Sequence, residues 1–404
     1  MEYQQPGQMR LFGVEEELLL VDARTFKPSP AAQFALAGQP VPGTTSALEL
    51  EVQLEQIEAV NAPCLSMNEV LAAIVQGRTL ADTAARNVGA RAVALATCPS
   101  AVTPHLVPTA RYLAMKSGFG RTLREQLTCG FHVHVEVASA EEGVGILDRI
   151  RIWLPVLLAL SANSPFWSGT DSEYASYRHQ LWNRWPTSGP CEIFGSATAY
   201  RREVSRLLET GVPLDEGMIY FDARLSRNHP TVEVRIADVC LAPEHAATIA
   251  TLVRALVETA AREWLAGRRP HPVPASQLRL ANWKASKCGV EQDLVDPRTN
   301  RPRDAAVVLD ELLEHVAPVL AETGEETAVA ALVGRIISDG TGATAQRRAA
   351  AERRADTLQP AGAAGGVLAA VVADALERTH GLEAGLCARQ GAARTGSMPR
   401  PLAR

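Results

Sequence analysis

Four short stretches of the chain alternate apolar and polar residues, and a period of two places alternate side chains on opposite faces of a strand. In 11–21, LFGVEEELLLV, one face carries Phe12, Val14, Glu16, Leu18 and Leu20, and the other Gly13, Glu15, Glu17, Leu19 and Val21. In 48–57, LELEVQLEQI, Leu48, Leu50, Val52 and Leu54 oppose Glu49, Glu51, Gln53 and Glu55. In 129–137, CGFHVHVEV, Phe131, Val133, Val135 and Val137 oppose His132, His134 and Glu136. In 230–237, PTVEVRIA, Val232, Val234 and Ile236 oppose Thr231, Glu233 and Arg235. Each predicted strand thus has an apolar face and a face of ionisable groups.

Helical periodicity fills much of the rest. Ser66-Met67-Asn68-Glu69 and Ser139-Ala140-Glu141-Glu142 are capping-box patterns, each followed by apolar residues at helical spacing. Pro155 should kink or divide the second of these helices. Pro243-Glu244 opens a third helix, and Asp304 caps a fourth over 304–320, with Val308, Leu312, Val316 and Val319 on one side. This organisation predicts a polar, flexible lead-in over 1–10 and a single α+β domain over 11–360. After it comes an Ala/Gly-rich C-terminal tail over 361–404, partly disordered.

Composition narrows the function. Forty Lys+Arg against 45 Asp+Glu give a net charge of −5, which excludes a nucleic-acid reader built on bulk positive charge. No run of 18 apolar residues offers a membrane span. The first residues, MEYQQPGQMR, lack a cationic-then-apolar leader, and the seven cysteines form no CxxC pair; both features point to the cytoplasm. Cys129 has no activating neighbour in the sequence and reads as structural.

The polar strand faces hold seven Glu, two His and one Arg, with no Lys. A solvated antiparallel sheet also alternates apolar and polar residues, but such faces usually mix Thr, Ser and Lys. So many carboxylates on one surface repel one another unless cations neutralise them. Oxygen-rich sites with some imidazole suit Mg²⁺ or Mn²⁺, hard cations that also bridge to substrate phosphates. No HExxH or Walker A sequence is present, so any nucleotide is held by the sheet and its metals.

Six segments resemble one family: GVEEELLLVD (13–22), LEVQLEQIEAVNAPC (50–64), GFHVHVEV (130–137), ANSPFWSGTDSEYASYRHQLWNRWPTSGP (162–190), TVEVRIADVCLAPEHAATIATLVRAL (231–256) and ANWKASKCGV (281–290). Together they are similar to the carboxylate–amine ligases of the glutamate–cysteine ligase type 2 family. The resemblance implies a glutamine-synthetase-like fold: a curved, mostly antiparallel sheet whose polar face meets Mg-ATP, with helices on the other face. It also implies ATP-dependent amide formation through an acyl phosphate, with small-molecule carboxylate and amine substrates. Glu15, Glu17, Glu55, His132 and Glu233 match the family's metal and nucleotide-phosphate positions. Arg235, on the same face as Glu233, would hold the transferring phosphate, so Arg235 and Glu55 are the catalytic candidates. Lys284 and Lys287 stand where family members tend to carry Arg.

The aromatic-rich stretch 162–190 suits a pocket that orients a small polar substrate. Trp167, Tyr177 and Arg178 are its binding candidates, joined by Tyr220 and Arg224 just before the Glu233 strand. The fold analogy also admits a homo-oligomer. Two other readings of these residues stay open: a metal-dependent hydrolase using the same carboxylate/His face, and a non-catalytic small-molecule binding protein.

Overall fold

The computed structural model describes residues 9–37, 46–357 and 366–394. Its central sheet has seven strands: β1 (Phe12–Asp22), β2 (Ser46–Leu50), β3 (Gln56–Asn61), β4 (Ala90–Val93), β5 (Gly130–Glu136), β6 (Ala223–Leu225) and β7 (Thr231–Asp238). The spatial order is β2-β3-β1-β5-β7-β6, and β4 pairs with the far end of β1. Every neighbouring pair in this sheet is antiparallel. This is the α+β arrangement expected from the alternating stretches.

Eight helices matter here: α1 (Met67–Arg86), α2 (Ala110–Phe119), α3 (Ala140–Ile150), α4 (Leu154–Ser161), α5 (Tyr177–Trp182), α6 (Pro243–Leu265), α7 (Ala305–Glu322) and α8 (Val367–Arg394). Helices α2 and α5 stand over the polar face, whereas α1, α3, α4 and α6 form the layer on the apolar face, with α7 packed on α6, and α8 on α1 and β4. The long helix α6 lies at the centre of this layer, with α1, α3 and α7 packed on it. Phe12 and Val14 of β1, Phe131, Val133 and Val135 of β5, and Val232, Val234 and Ile236 of β7 join Ile249, Leu252 and Leu256 of α6 in one core cluster. Burying each such side chain stabilises the fold by about 1.5–3 kcal/mol. That pressure fixes which face of each strand is left for chemistry.

The predicted helix starts are built from the expected groups. Ser66 Oγ accepts from the Glu69 amide at 3.3 Å, Ser139 Oγ from the Glu142 amide at 3.1 Å, and Asp304 Oδ1 from the Ala306 amide at 2.9 Å. Pro155 falls in the first turn of α4 and separates it from α3. Glu16 is the one charged residue of β1 whose alternation sends it into the core. Arg78 of α1 meets it there through Nη2–Oε1 at 2.7 Å and Nε–Oε2 at 3.0 Å, with both side chains almost fully buried.

Three boundaries differ from the sequence reading. The stretch 48–57 is two strands and not one, because the chain leaves the sheet over 51–55 between β2 and β3. In the supposed lead-in, residues 1–8 lie outside the described residues, while Arg10 is buried and ion-paired at 2.7 Å to both Glu142 and Glu258. The supposed tail contains α8, whose Val371, Val372, Ala375 and Leu376 are buried. The last three of these pack with β1 and β4 residues such as Leu20 and Val93. These side chains cover apolar residues of β1 and β4. Residues 358–365 and 395–404 lie outside the described residues.

Candidate active site

Strand register assembles the polar face. Directly opposite residues in an antiparallel pair share a face and bring their side chains within reach. Glu49 of β2 faces Glu58 of β3, and Glu58 faces Glu17 of β1. Glu15 of β1 faces His132 of β5. His134 of β5 faces Glu233 of β7, which faces Arg224 of β6. Residues from six strands thereby form one patch of carboxylates, imidazoles and guanidiniums.

The strand β7 also carries a bulge. Phe131 faces Ala237 and Val133 faces Val234, so His132 alone opposes both Arg235 and Ile236. Bulges re-aim side chains beside active sites, and this one presents Arg235 on the polar face.

The groups bind one another closely. Glu15 Oε2 lies 3.2 Å from His132 Nδ1, and Glu15 Oε1 lies 3.1 Å from His134 Nε2. Glu17 Oε2 accepts from the Gly130 amide at 2.6 Å. Arg224 holds Glu233 in a two-pronged pair at 2.7 and 3.2 Å, and Arg235 Nη1 donates to the same carboxylate. His134 Nδ1 lies 3.1 Å from the Thr231 hydroxyl.

The electrostatics divide the patch in two. Burial alone would raise the Glu15 carboxyl, but hydrogen bonds from His132 and His134 hold it well below the ordinary range. Burial likewise opposes ionisation of Glu233, and Arg235 and Arg224 reverse it. Among the described residues, no Lys or Arg is ion-paired with Glu51 or Glu58 at the other end. Burial and the Glu17 charge push the Glu51 carboxyl up to about 8, and burial with the Glu51 charge pushes Glu58 well above its ordinary value. Burial and the neighbouring Arg235 lower the His132 imidazole, which keeps it neutral and able to ligate.

These features fit a divalent cation. Three sets of donor atoms lie close enough to share an ion: Glu15, Glu58 and His132; Glu15, His134 and Glu233; and Glu17, Glu51 and Glu58. His132 Nε2 is buried without a hydrogen-bond partner among the described residues, as a nitrogen reserved for a ligand would be. Carboxyls that would otherwise keep their protons become good ligands once a cation neutralises them.

The patch lines a cavity of about 600 Å³. Its other wall is aromatic, from Tyr112 of α2, Trp182 of α5, Trp185 and Tyr220, and Arg111 stands at its edge, paired with Asp215 at 2.8 and 3.0 Å. Among the residues singled out from sequence, Glu15, Glu17, His132, Glu233, Arg235, Tyr220 and Arg224 line this cavity.

Four others are placed elsewhere. Glu55 is buried with its oxygens on His105, taking the amide at 3.0 Å and facing Nδ1 at 2.6 Å. The break at 51–55 shifts the alternation, so that Glu58 takes the place on the polar face that a continuous strand would have given Glu55. Trp167 and Tyr177 pack on each other with ring centres 6.2 Å apart, and Tyr174 lies 5.8 Å from Tyr177. Tyr177 and Arg178 are adjacent on a helix and cannot face the same way. Arg178 is buried against the backbone of β7, with Nη1 on the Ile236 carbonyl at 3.3 Å and Nη2 on the Arg235 carbonyl at 3.4 Å. The sequence reading missed Glu58, although the alternation of Gln56, Glu58 and Val60 with Ile57 and Ala59 would have placed it. It also missed Arg111 and Tyr112, which carry no local signal. The Cys129 thiol is buried and pushed well up by that burial, as suits a structural cysteine.

An open antiparallel sheet with helices on one face and an ionisable face over a cavity is the glutamine-synthetase-like fold, shared with known ligases. The fold is similar to that of the glutamate–cysteine ligase of Francisella tularensis, solved in complex with AMP. The TM-score is 0.62 at 12% identity, over 94% of this chain and 95% of that one. It is also similar to the ligase PafA in its complex with the prokaryotic ubiquitin-like protein Pup, at a TM-score of 0.52 and 11% identity, over 98% of this chain and 84% of that one. The chain belongs to Glutamate-cysteine ligase family 2 (GCS2), which matches residues 11–373. A protein of Paenarthrobacter aurescens (strain TC1) named "Putative glutamate--cysteine ligase 2-3" is 55% identical over 342 residues, 85% of this chain and 80% of that protein.

Proposed function

We propose that this protein is an ATP-dependent carboxylate–amine ligase that makes an amide through an acyl phosphate. One carboxylate oxygen of the acid attacks the γ-phosphorus of ATP, and ADP departs. The amine nitrogen then attacks the acyl carbon, the C–N bond forms, the nitrogen gives up a proton, and inorganic phosphate leaves with the former carboxylate oxygen. Glutamate and cysteine are the acid and amine of the family's name, and they are the first pair to test.

The observation that carries this reading is the cross-strand patch from Glu58 to Arg224, since transfer between two anions demands concentrated positive charge. Glu15, Glu17, Glu58, His132 and Glu233 would hold Mg²⁺ (or Mn²⁺). The bound cation would offset the charge of the ATP phosphates and of the acceptor carboxylate. Arg235 donates to the oxygens of the transferring phosphoryl group, and Glu233 with Arg224 fixes its guanidinium. The aromatic wall excludes water from the acyl phosphate, which water would otherwise hydrolyse.

The test is nucleotide turnover with Mg²⁺, ATP and pooled acids and amines, glutamate and cysteine included, with ADP and AMP resolved. ADP released in step with amide, and dependent on both an acid and an amine, is the expected result. AMP and pyrophosphate would overturn the acyl-phosphate route, and metal-dependent cleavage of the corresponding amide without ATP would favour the hydrolase.

A further inference from the structure

The short helix α5 grips Arg235 at two points. Arg178, in its first turn, donates to the carbonyls of Arg235 and Ile236, the two residues of the β7 bulge. Trp182, one turn further on, lies under both guanidiniums: Arg178 Cζ is 5.7 Å and Arg235 Cζ 6.0 Å from its ring centre. Tyr220 braces the indole edge-on, with ring centres 4.9 Å apart.

The surroundings are shaped for this grip. Gly130 of β5 leaves room for Arg178, because a Cβ there would stand 2.3 Å from Arg178 Nη2. Asp238, at the end of β7, accepts from the Asn163 amide at 2.9 Å and from the hydroxyls of Ser164 and Ser176 at 2.7 and 2.8 Å. It thereby ties the loop that leads into α5 to the strand that α5 grips. Arg235 Nε remains buried without a hydrogen-bond partner among the described residues. A bulge interrupts the ladder that would otherwise fix its strand, so the aim of Arg235 depends on contacts from outside the sheet.

We infer that Arg178 and Trp182 are positioning residues that pin the β7 bulge and hold Arg235 in its phosphoryl-binding pose. This inference rests on the role given to Arg235 above. Arg178 therefore acts on the reaction without touching substrate, and Trp182 acts through Arg235 although it also lines the cavity.

Steady-state kinetics of Trp182→Leu, Trp182→Phe, Gly130→Ala and Arg235→Lys, with each of the first three also combined with Arg235→Lys, test this. A loosened catalytic group costs about 10²-fold in rate, so Trp182→Leu should lower kcat by about 10- to 100-fold. The KM values for acid and amine should stay within about twofold. Trp182→Phe, which keeps an aromatic face, should recover most of the loss. Gly130→Ala displaces Arg178 without altering α5 and should reproduce the defect if Trp182→Leu does not fold. Because its Cβ would also stand 3.1 Å from His132 Nε2, the loss counts for Arg178 when the Mg²⁺ requirement is unchanged. In the Arg235→Lys background none of the three should slow the enzyme further, because residues that act through one group are not additive. Losses that multiply with that of Arg235→Lys, or a raised KM with unchanged kcat, would overturn the pinning role alone. Wild-type turnover in Arg235→Lys would instead overturn the role of Arg235 itself.

Discussion

Glu58 and Glu55 have the same side chain, three residues apart, in opposite settings. Glu58 belongs to two of the three cation-binding sets, and without a cation its carboxyl is driven toward the protonated form. Glu58→Gln should therefore raise the Mg²⁺ requirement by about 10- to 100-fold, read from a Mg²⁺ titration of ADP release. Glu55 instead ties the loop before α2 to the start of β3 through His105. Glu55→Gln should leave the Mg²⁺ requirement unchanged and cost about 1–3 kcal/mol in denaturant unfolding. The reverse pattern would return Glu55 to the active face. His179 contributes to the behaviour in acid. Burial, with the charges of Arg178 and Arg279, pulls its imidazole down to about 3 in the folded protein. Above the unfolded value near 6.5 the ring is neutral in both states and pH has no effect through it. Below that value the unfolded chain takes up a proton that the folded protein refuses, so stability falls as pH drops from about 6.5 to about 3. Glu51 and Glu58, raised in the folded protein, contribute the opposite slope over this range, so the His179 part is read as a difference. Between neutral pH and about two units lower, His179→Gln should lose less stability than the wild type. An unchanged slope in that variant would remove His179 as its cause.

Between elements, Arg78 is a buried polar tie. It joins α1 to Glu16 of β1, to the Cys240 and Leu241 carbonyls after β7, and to the Thr379 carbonyl of α8. Glu16 sits between Glu15 and Glu17, so this tie behind the sheet also fixes the strand that presents both candidate ligands. Arg78→Met leaves a buried carboxylate unpaired and should destabilise by about 3–5 kcal/mol, whereas adding Glu16→Leu should restore most of that loss. A double variant no more stable than the single one would show that Arg78 serves chiefly through its carbonyl contacts. Much of this level could be read from the sequence. Glu15 with Glu17 and His132 with His134 each lie on one strand without an inserted residue, where alternation alone decides the face, and Arg235 keeps the face of Glu233 although the β7 bulge begins there. The split at 51–55 could not be read, because no glycine or proline marks it, whereas Glu58 was legible from the alternation of 56–60 taken by itself. The orientation of Arg178 escaped as well. It depends on a bulge in another strand, and a bulge is a property of register between strands that no single segment encodes.

At the scale of the whole molecule, the sequence showed that the strands carried similar faces but not that they share one sheet. Register alone turns four polar stripes into a single patch. The C-terminal helix α8 completes that sheet: the Ala94 amide donates to the Thr379 hydroxyl at 3.1 Å, and His380 Nε2 lies 2.9 Å from the Ala92 carbonyl. Its Ala-rich composition hid this, since Ala and Gly give little periodic signal. The assembled patch has a thermodynamic consequence that can be measured without any substrate. Glu15, Glu17, Glu49, Glu51, Glu58 and Glu233 crowd one cavity, and the unfolded chain disperses them. A cation that binds the folded protein and not the unfolded chain stabilises it by about 2.7 kcal/mol at a hundredfold excess over Kd. For 404 residues unfolding as a unit, an unfolding entropy of about 2.1 cal/mol/K per residue converts this to a rise of roughly 3 °C in Tm. Mg²⁺ should therefore raise the wild-type Tm by a few degrees, and Mn²⁺ by a similar amount. The shift should shrink in Glu58→Gln while surviving in Glu55→Gln. Equal shifts in all three proteins would mean that the cation binds elsewhere, whatever the turnover assay shows.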